Sequence, residues 1–363
     1  MADAPPRGVA DALDIQLGFC RSPDADADVL WAAPSFAPDH VDDGAVAEAA
    51  RSSALRVELL FDRGSMHTLC RARGAGAADA IRTVAEPLPG GYTTDLAEWA
   101  RRAAESDAEA LCGAATGTLR DGSCVRRVDL TRAETVAFVM RLTNAMLWLI
   151  DGCTAIEIGP DGARWHLFSV WRDGALVAGA TCFSFVVPVR RMRVCQFLVI
   201  PGEQRRGVGA QLLAAIYEAA RSDGAMEVNV EDPCAGFRAL RDAVDATRAR
   251  ALRAAIDASG GAAAPSMADV AAAKKELLLS NEQTQRLVEI LRLRALDAGA
   301  AGAPAAASDD ALTAFRVGCK RRLLKANDET LAHLPADERK RKLGEMFDEA
   351  ADEYRRCARK LAD

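Results

Sequence analysis

The sequence predicts an α+β protein, with a mixed α/β centre and a helical C-terminal region. Three observations predict it. The stretch Phe197–Ile216, FLVIPGEQRRGVGAQLLAAI, runs from an apolar segment through Pro201 into a loop with two arginines and three glycines, and then into a helix-forming segment. Two β-rich runs, 165–171 and 175–187, flank Asp173-Gly174, the dipeptide of a tight hairpin. From about residue 266 onward the apolar spacing is helical only.

Taken in order, residues 1–50 carry little pattern and collect Asp24, Asp26, Asp28, Asp39, Asp42, Asp43 and Glu48. They read as a mostly irregular acidic segment. At 55–61, LRVELLF is a short apolar strand that opens an N-terminal α/β domain over 51–150. Thr131-Arg132-Ala133-Glu134 has the form of a capping box. Val136, Phe138, Val139, Leu142, Met146, Leu147 and Ile150 follow at helical spacing, giving a long helix that ends near Asp151-Gly152. The core, 151–260, holds the hairpin, a third strand at 191–200, a helix from about Arg206 and the strand 226–231. The last region, 266–363, is helical. Ser280-Asn281-Glu282-Gln283 is a second capping box, and 298–308, AGAAGAPAAAS, is a small-residue linker or long loop. Leu343, Phe347, Ala350, Tyr354, Cys357 and Leu361 recur at three-four spacing, as expected of a helix packed on other helices.

Composition narrows the function. The chain has 363 residues, half of them hydrophobic and 27% charged, which suffices for sizeable cores. A net charge of −6 and a pI near 5.5 lack the basic footprint of a nucleic-acid binder, so no direct nucleic-acid binding is expected. Ten cysteines are scattered without a C-x-x-C and read as buried, reduced thiols. His40, His67, His166 and His333 form no metal-spaced group, so no metal is expected. The start, MADAPPRG, lacks the features of a signal peptide, and no apolar run reaches about 18 residues, so an intracellular chain without a membrane span is expected.

Three chemistries use a strand, a glycine loop and a helix entrance. Free N–H groups at a helix start, added to the helix dipole, favour phosphate, and glycine admits it close to the backbone. A dinucleotide fold needs G-x-G-x-x-G, but Leu212 stands at the third glycine's place. A P-loop needs Gly-Lys-Ser/Thr at its end, and here Gly207 is followed by Val208-Gly209. The third, Q/R-x-x-G-x-G/A, fits Gln204-Arg205-Arg206-Gly207-Val208-Gly209 throughout. In this loop the chain resembles the GNAT superfamily of N-acetyltransferases. The resemblance implies a mixed, mostly antiparallel sheet flanked by helices, with acetyl-CoA as co-substrate. Phe197, Leu198 and Val199 would bond the pantetheine arm, and the loop amides would hold the pyrophosphate. Arg205 and Arg206 would give only supporting contacts.

Further stretches resemble a narrower family, the catalytic subunit of type B histone acetyltransferases. They are LWLID at 147–151, RWH at 164–166, RVCQFLVI at 193–200, GAQLL at 209–213 and VEDP at 230–233. QRLVEILRL at 285–293, CKRRLL at 319–324 and DEYRRCARKL at 352–361 look like that family's helical tail. The resemblance spans roughly 50–363 and is weakest before 130. It implies that Glu231, in the pair Glu231-Asp232, is the general base, against the bland reading in which Glu231 caps the helix after Pro233. It puts Asp151 where the family has a glutamate that orients or deprotonates the substrate lysine, here one methylene shorter. It puts Cys234 where the family has a small polar residue on the cofactor, and Phe237 at an aromatic near it. Trp165 and His166 read as core and structure. Cys234 as an acyl-carrying nucleophile is disfavoured, because no histidine lies near it in sequence.

The function implied is acetyl transfer to lysines in the tail of free, newly made histones, histone four foremost, with a WD-repeat histone chaperone as partner and residence in cytoplasm and nucleus. Two alternatives stay open: an acetyltransferase for another protein or a small amine, and a non-catalytic histone-binding scaffold. The basic run 339–342, RKRK, reads most simply as a solvated face.

Overall fold

The computed structural model describes residues 14–21, 29–34, 55–74, 76–299 and 305–361. The chain forms two compact units, Met1–Ile216 and Tyr217–Asp363.

The first unit contains two sheets. Its smaller sheet has the order β2-β1-β3-β4, from β1 (Asp14–Cys20), β2 (Leu30–Ala32), β3 (Arg56–Asp62) and β4 (Thr68–Arg73). β1 pairs parallel with β3 and antiparallel with β2. β1 and β2 lie in the segment before residue 50, where the sequence carries little pattern; apart from 14–21 and 29–34, that segment lies outside the described residues. The alternation of Ile15, Leu17 and Phe19 is too short and too acidic in its surroundings to stand out. It becomes a strand because β3 supplies the partner, and Phe19 stacks on Phe61 with ring centroids 5.2 Å apart. Helices α1 (Ala77–Ala85), α2 (Leu96–Ala104) and α3 (Ala108–Leu111) follow.

The second sheet carries the site. β5 (Ala115–Thr118), β6 (Cys124–Asp129), β7 (Trp165–Arg172), β8 (Ala175–Phe185) and β9 (Arg191–Val199) lie side by side in that order, every neighbouring pair antiparallel. The hairpin β7–β8 turns on Asp173 and Gly174, at φ +49° and +75°, the left-handed pair that a tight two-residue turn needs. Between β6 and β7 runs α4 (Ala133–Leu149), which buries Phe138, Val139, Leu142, Met146 and Trp148. Phe138 meets Trp171 at 5.8 Å, seating the helix on the sheet. The predicted capping box at its start does not form. Arg132 is the N-cap residue and makes no side-chain cap, so Thr131 stands one position too early to act. Packing of the apolar face holds the helix instead. The unit ends within α5 (Val208–Ser222).

In the second unit, β10 (Glu227–Val230) is tied to the helices around it: Val228 N donates to Leu278 O at 2.8 Å, and Gln283 Nε2 donates to Val228 O at 3.2 Å. The helices are α6 (Ala235–Arg248), α7 (Arg250–Ala258), α8 (Met267–Leu277), α9 (Asn281–Gly299), α10 (Ala305–Ala326), α11 (Asp328–Leu331) and α12 (Ala336–Arg359). The capping box at the head of α9 does form: Gln283 N donates to Ser280 Oγ at 3.2 Å and Ser280 N to Gln283 Oε1 at 2.8 Å. The small-residue stretch 298–308 is shorter as a linker than its composition suggests. α9 runs to Gly299 and α10 starts at Ala305, because alanine, the best helix former, extends a helix wherever packing starts one. Residues 300–304 lie outside the described residues.

The three tail stretches read from the sequence interlock. Arg286 Nε donates to both carboxylate oxygens of Asp242, at 3.0 and 2.9 Å, and its Nη2 donates to Glu353 at 2.7 Å. Arg322 makes a two-pronged contact with Glu289, 2.8 Å on each oxygen, and Tyr354 Oη donates to the same carboxylate at 2.8 Å. Fork-on-carboxylate pairs of this kind fix register as well as adding energy.

All ten cysteines are free thiols. Six are buried, and burial raises their pKa, that of Cys182 included. Cys234 departs from the buried expectation and is exposed. No helix among the described residues is long and apolar enough to cross a membrane.

Candidate acetyl-transfer site

The strand β9 alternates strictly: Met192, Val194, Gln196 and Leu198 are buried, while Phe197 and Val199 are half-buried on the other face. Beyond Ile200 and Pro201 the chain enters the loop Gly202–Gly207. Its backbone is left-handed at Gly202 (φ +80°), Arg205 (+64°) and Gly207 (+81°). Alternation of right- and left-handed residues turns successive N–H groups toward one side, the geometry of an anion-binding nest. Helix α5 starts at Val208, and the first N–H groups of a helix have no acceptor within it. Gln204, Arg205, Arg206 and Gly207 are exposed, whereas Val208 is buried and anchors the helix start. Gln204 Nε2 donates to Val199 O at 3.0 Å, so the loop folds back on the strand before it. This arrangement suits a pyrophosphate on Gln204–Gly209 beside an extended arm along Phe197–Val199.

Two positioning residues went unread in the sequence. Glu203 looked like an ordinary loop charge, yet its side chain is buried. It accepts from Arg63 Nη2 at 2.9 Å and Arg172 Nη1 at 2.9 Å, with Arg206 Nη1 at 3.3 Å. Arg63 follows β3 and Arg172 ends β7, so one carboxylate pins the loop to both sheets. Gln196, inside a strand, accepts from Thr181 Oγ1 at 3.0 Å and donates to Thr154 O at 2.8 Å and Cys153 Sγ at 3.3 Å. It thereby ties the turn after α4, where Asp151 sits exposed, to the strand that carries Phe197. No local pattern announces either residue, since both roles depend on partners far away in sequence.

His166 is buried, as the structural reading expects, whereas Trp165 is half-buried. Trp165 packs edge-on against Phe183 at 4.9 Å. His166 is buried, with Nδ1 2.6 Å from Asp129 Oδ1 and Nε2 2.8 Å from Ser184 Oγ.

The second unit holds the other predicted residues at the junction of β10 and α6. Glu231 and Asp232 follow the last residue of β10 and are exposed. The N-cap residue of α6 is Cys234 rather than Glu231. Asp232 adopts φ +33°, a strained value for a residue with a side chain. Strain of this kind collects where a site demands it. Cys234 is exposed, and Phe237 is half-buried in the first turn of α6. Among the described residues, no group of three or more His, Cys, Asp or Glu side chains is arranged to hold a metal ion.

A family model for the acetyltransferase (GNAT) family matches residues 127–240. The chain is also similar to proteins named histone acetyltransferase type B catalytic subunit. That of Cryptococcus neoformans is 28% identical over 174 residues, 46% of this chain and 40% of the relative. That of Mus musculus is 25% identical over 278 residues, 66% of this chain and 62% of the relative. That of Homo sapiens is 24% identical over 270 residues, 66% of this chain and 61% of the relative. The chain thus spans between 40% and 62% of the length of these relatives. Residues 127–240, which include most of the antiparallel strands, the glycine loop and the following helix, thus match the acetyltransferase (GNAT) family, in a chain similar to type B histone acetyltransferase catalytic subunits.

Proposed function

We propose that this chain transfers acetyl from acetyl-CoA to lysine side chains in the tail of free, newly made histones, histone four foremost. The observation that carries the reading is the Gln204–Gly209 loop at the head of α5, in a chain similar over 66% of its length to type B histone acetyltransferase subunits. In this reading the loop amides and helix start hold the pyrophosphate, Phe197–Val199 align the pantetheine arm, and Cys234 and Phe237 lie along the cofactor. When bound, acetyl-CoA supplies a thioester carbonyl open to an amine. Glu231 takes the proton that the lysine amine must shed, directly or through a water, and Asp232 holds the turn that presents it. Asp151 attracts and orients the substrate ammonium. A WD-repeat histone chaperone is the partner, and the cytoplasm and nucleus are the compartments, that this reading implies.

A substrate panel tests it: a histone-four tail peptide, an unrelated lysine peptide and a small polyamine, each with acetyl-CoA. The histone peptide is expected to have the highest kcat/KM. A small amine outrunning it would replace the substrate class, and binding of acetyl-CoA without turnover on any acceptor would leave a scaffold.

The loop itself makes a separate prediction. At Gly207 a Cβ would find Gln211 Nε2 no nearer than 3.8 Å, so space is not limiting. The φ of +81° is limiting, and a β-branched residue there costs about 1–2 kcal/mol. Gly207→Val is expected to raise the KM for acetyl-CoA about tenfold, the kinetic equivalent of that strain, with kcat changed less. Steady-state kinetics checks it.

A further inference from the structure

Away from the loop, the first unit contains an open pocket of about 650 Å³, whose lining includes His67, Thr131, Val136, Met140, Arg141 and Ile158. This volume lies in the range of small-molecule sites. Its walls are mostly apolar, and its charged group is Arg141. The Arg141 side chain is largely enclosed. Nε donates to the Ser65 carbonyl at 2.8 Å, and the guanidinium lies 5.8 Å from the Phe138 ring centroid. Among the described residues no carboxylate pairs with it.

Arg63, Arg172, Arg286 and Arg322 each face a carboxylate, whereas Arg141 meets a backbone carbonyl and an aromatic ring. A desolvated cation without an anion costs free energy that a counter-charge would recover. Burial alone pulls the Arg141 pKa below its ordinary value, with no acidic neighbour acting against it. His67 adds no second charge: burial first, then Arg141 and Arg102, push its pKa down to about 4, so its ring is neutral and can offer one N–H. The N-terminal turn of α4, a helix of 17 residues, contributes Ala133 and Val136 to the same wall, beside Thr131.

We propose that this pocket binds a small organic monocarboxylate, with the carboxylate on the Arg141 guanidinium and the apolar body against Val136, Met140 and Ile158. One guanidinium fork matches one carboxylate in shape and charge. Phosphate would bring up to two charges to a single cation and would leave the apolar walls unused. The site is independent of the acetyl-transfer reading, since it uses none of the residues assigned there.

The experiment is calorimetric titration of the full chain with hexanoate, hexanol and inorganic phosphate, followed by the His67 ring resonances in NMR. Hexanoate is expected to bind and to move the His67 signals, with hexanol at least about tenfold weaker and phosphate not competing. Arg141→Gln should weaken hexanoate by about tenfold or more. Should that variant fail to fold by circular dichroism, Ala137→Met decides. Ala137 is an exposed residue on the same wall, and the longer side chain fills the pocket while removing no contact. Equal binding of hexanol and hexanoate, tighter binding of phosphate, or hexanoate binding indifferent to both substitutions would overturn the proposal. So would a folded protein that takes up no hexanoate at millimolar concentration.

Discussion

Replacing Glu231 by Gln is expected to lower acetyl transfer about 100-fold or more near neutral pH while leaving acetyl-CoA affinity unchanged, the size of a lost general base. A lysine amine, with a free pKa of about 10.4, is mostly protonated at neutral pH and cannot attack until it gives up a proton. Glu231 stands just past the end of β10, exposed, beside a residue in a strained backbone conformation. Glutamine keeps the shape and hydrogen-bonding reach but cannot accept the proton. The defect should therefore shrink as pH approaches about 10, where the free amine becomes abundant without help. A purely structural loss would not recover in this way. The measurement is the pH–rate profile of both proteins on one peptide. An unchanged neutral-pH rate would move the base elsewhere, with Asp151 the next carboxylate to replace.

Glu203→Gln is expected to cost about 3–5 kcal/mol of stability and to weaken acetyl-CoA binding as the loop loosens. Glu203 and Arg63 are 8% and 6% exposed in their side chains, so the substitution leaves an enclosed guanidinium without its counter-charge. Desolvation pushes the Glu203 pKa up, but hydrogen bonds and charge from Arg63 and Arg172 outweigh it and hold the carboxyl below its ordinary value. Burial pulls Arg63 downward in spite of Glu203, yet an arginine remains charged at any ordinary pH, so the pair is ionic. The sign follows from the depressed carboxyl. Its contribution is complete above about pH 4.3, the ordinary glutamate value, and is lost as pH falls through the lower folded value. Urea denaturation at neutral pH should show the full deficit, and the gap between wild type and variant should narrow in acid. A gap that does not change with pH would mean that the carboxylate's charge is not what anchors the loop.

The elements legible in advance were those whose signal is local. The Asp173-Gly174 hairpin, the strand–loop–helix run at 191–222 and the Ser280–Gln283 cap each depend on residues within a few positions of one another. Their backbone preferences and neighbouring hydrogen bonds act before any packing exists. Asp14–Cys20, by contrast, is a strand because β3 lies beside it. Thr131 fails as a cap because packing set the start of α4 at Arg132–Ala133. Glu203 and Gln196 are ordinary residues until Arg63, 140 positions away, and Thr154, 42 positions away, come into reach. That Arg141 meets no carboxylate among the described residues is likewise invisible in a sequence where acidic residues outnumber basic ones, 52 to 46. Charge composition constrains the sum, whereas which charges meet depends on contacts made through space. Turn chemistry and hydrophobic period are written in adjacent residues, but the partner of a buried charge is chosen only when distant segments exclude water together.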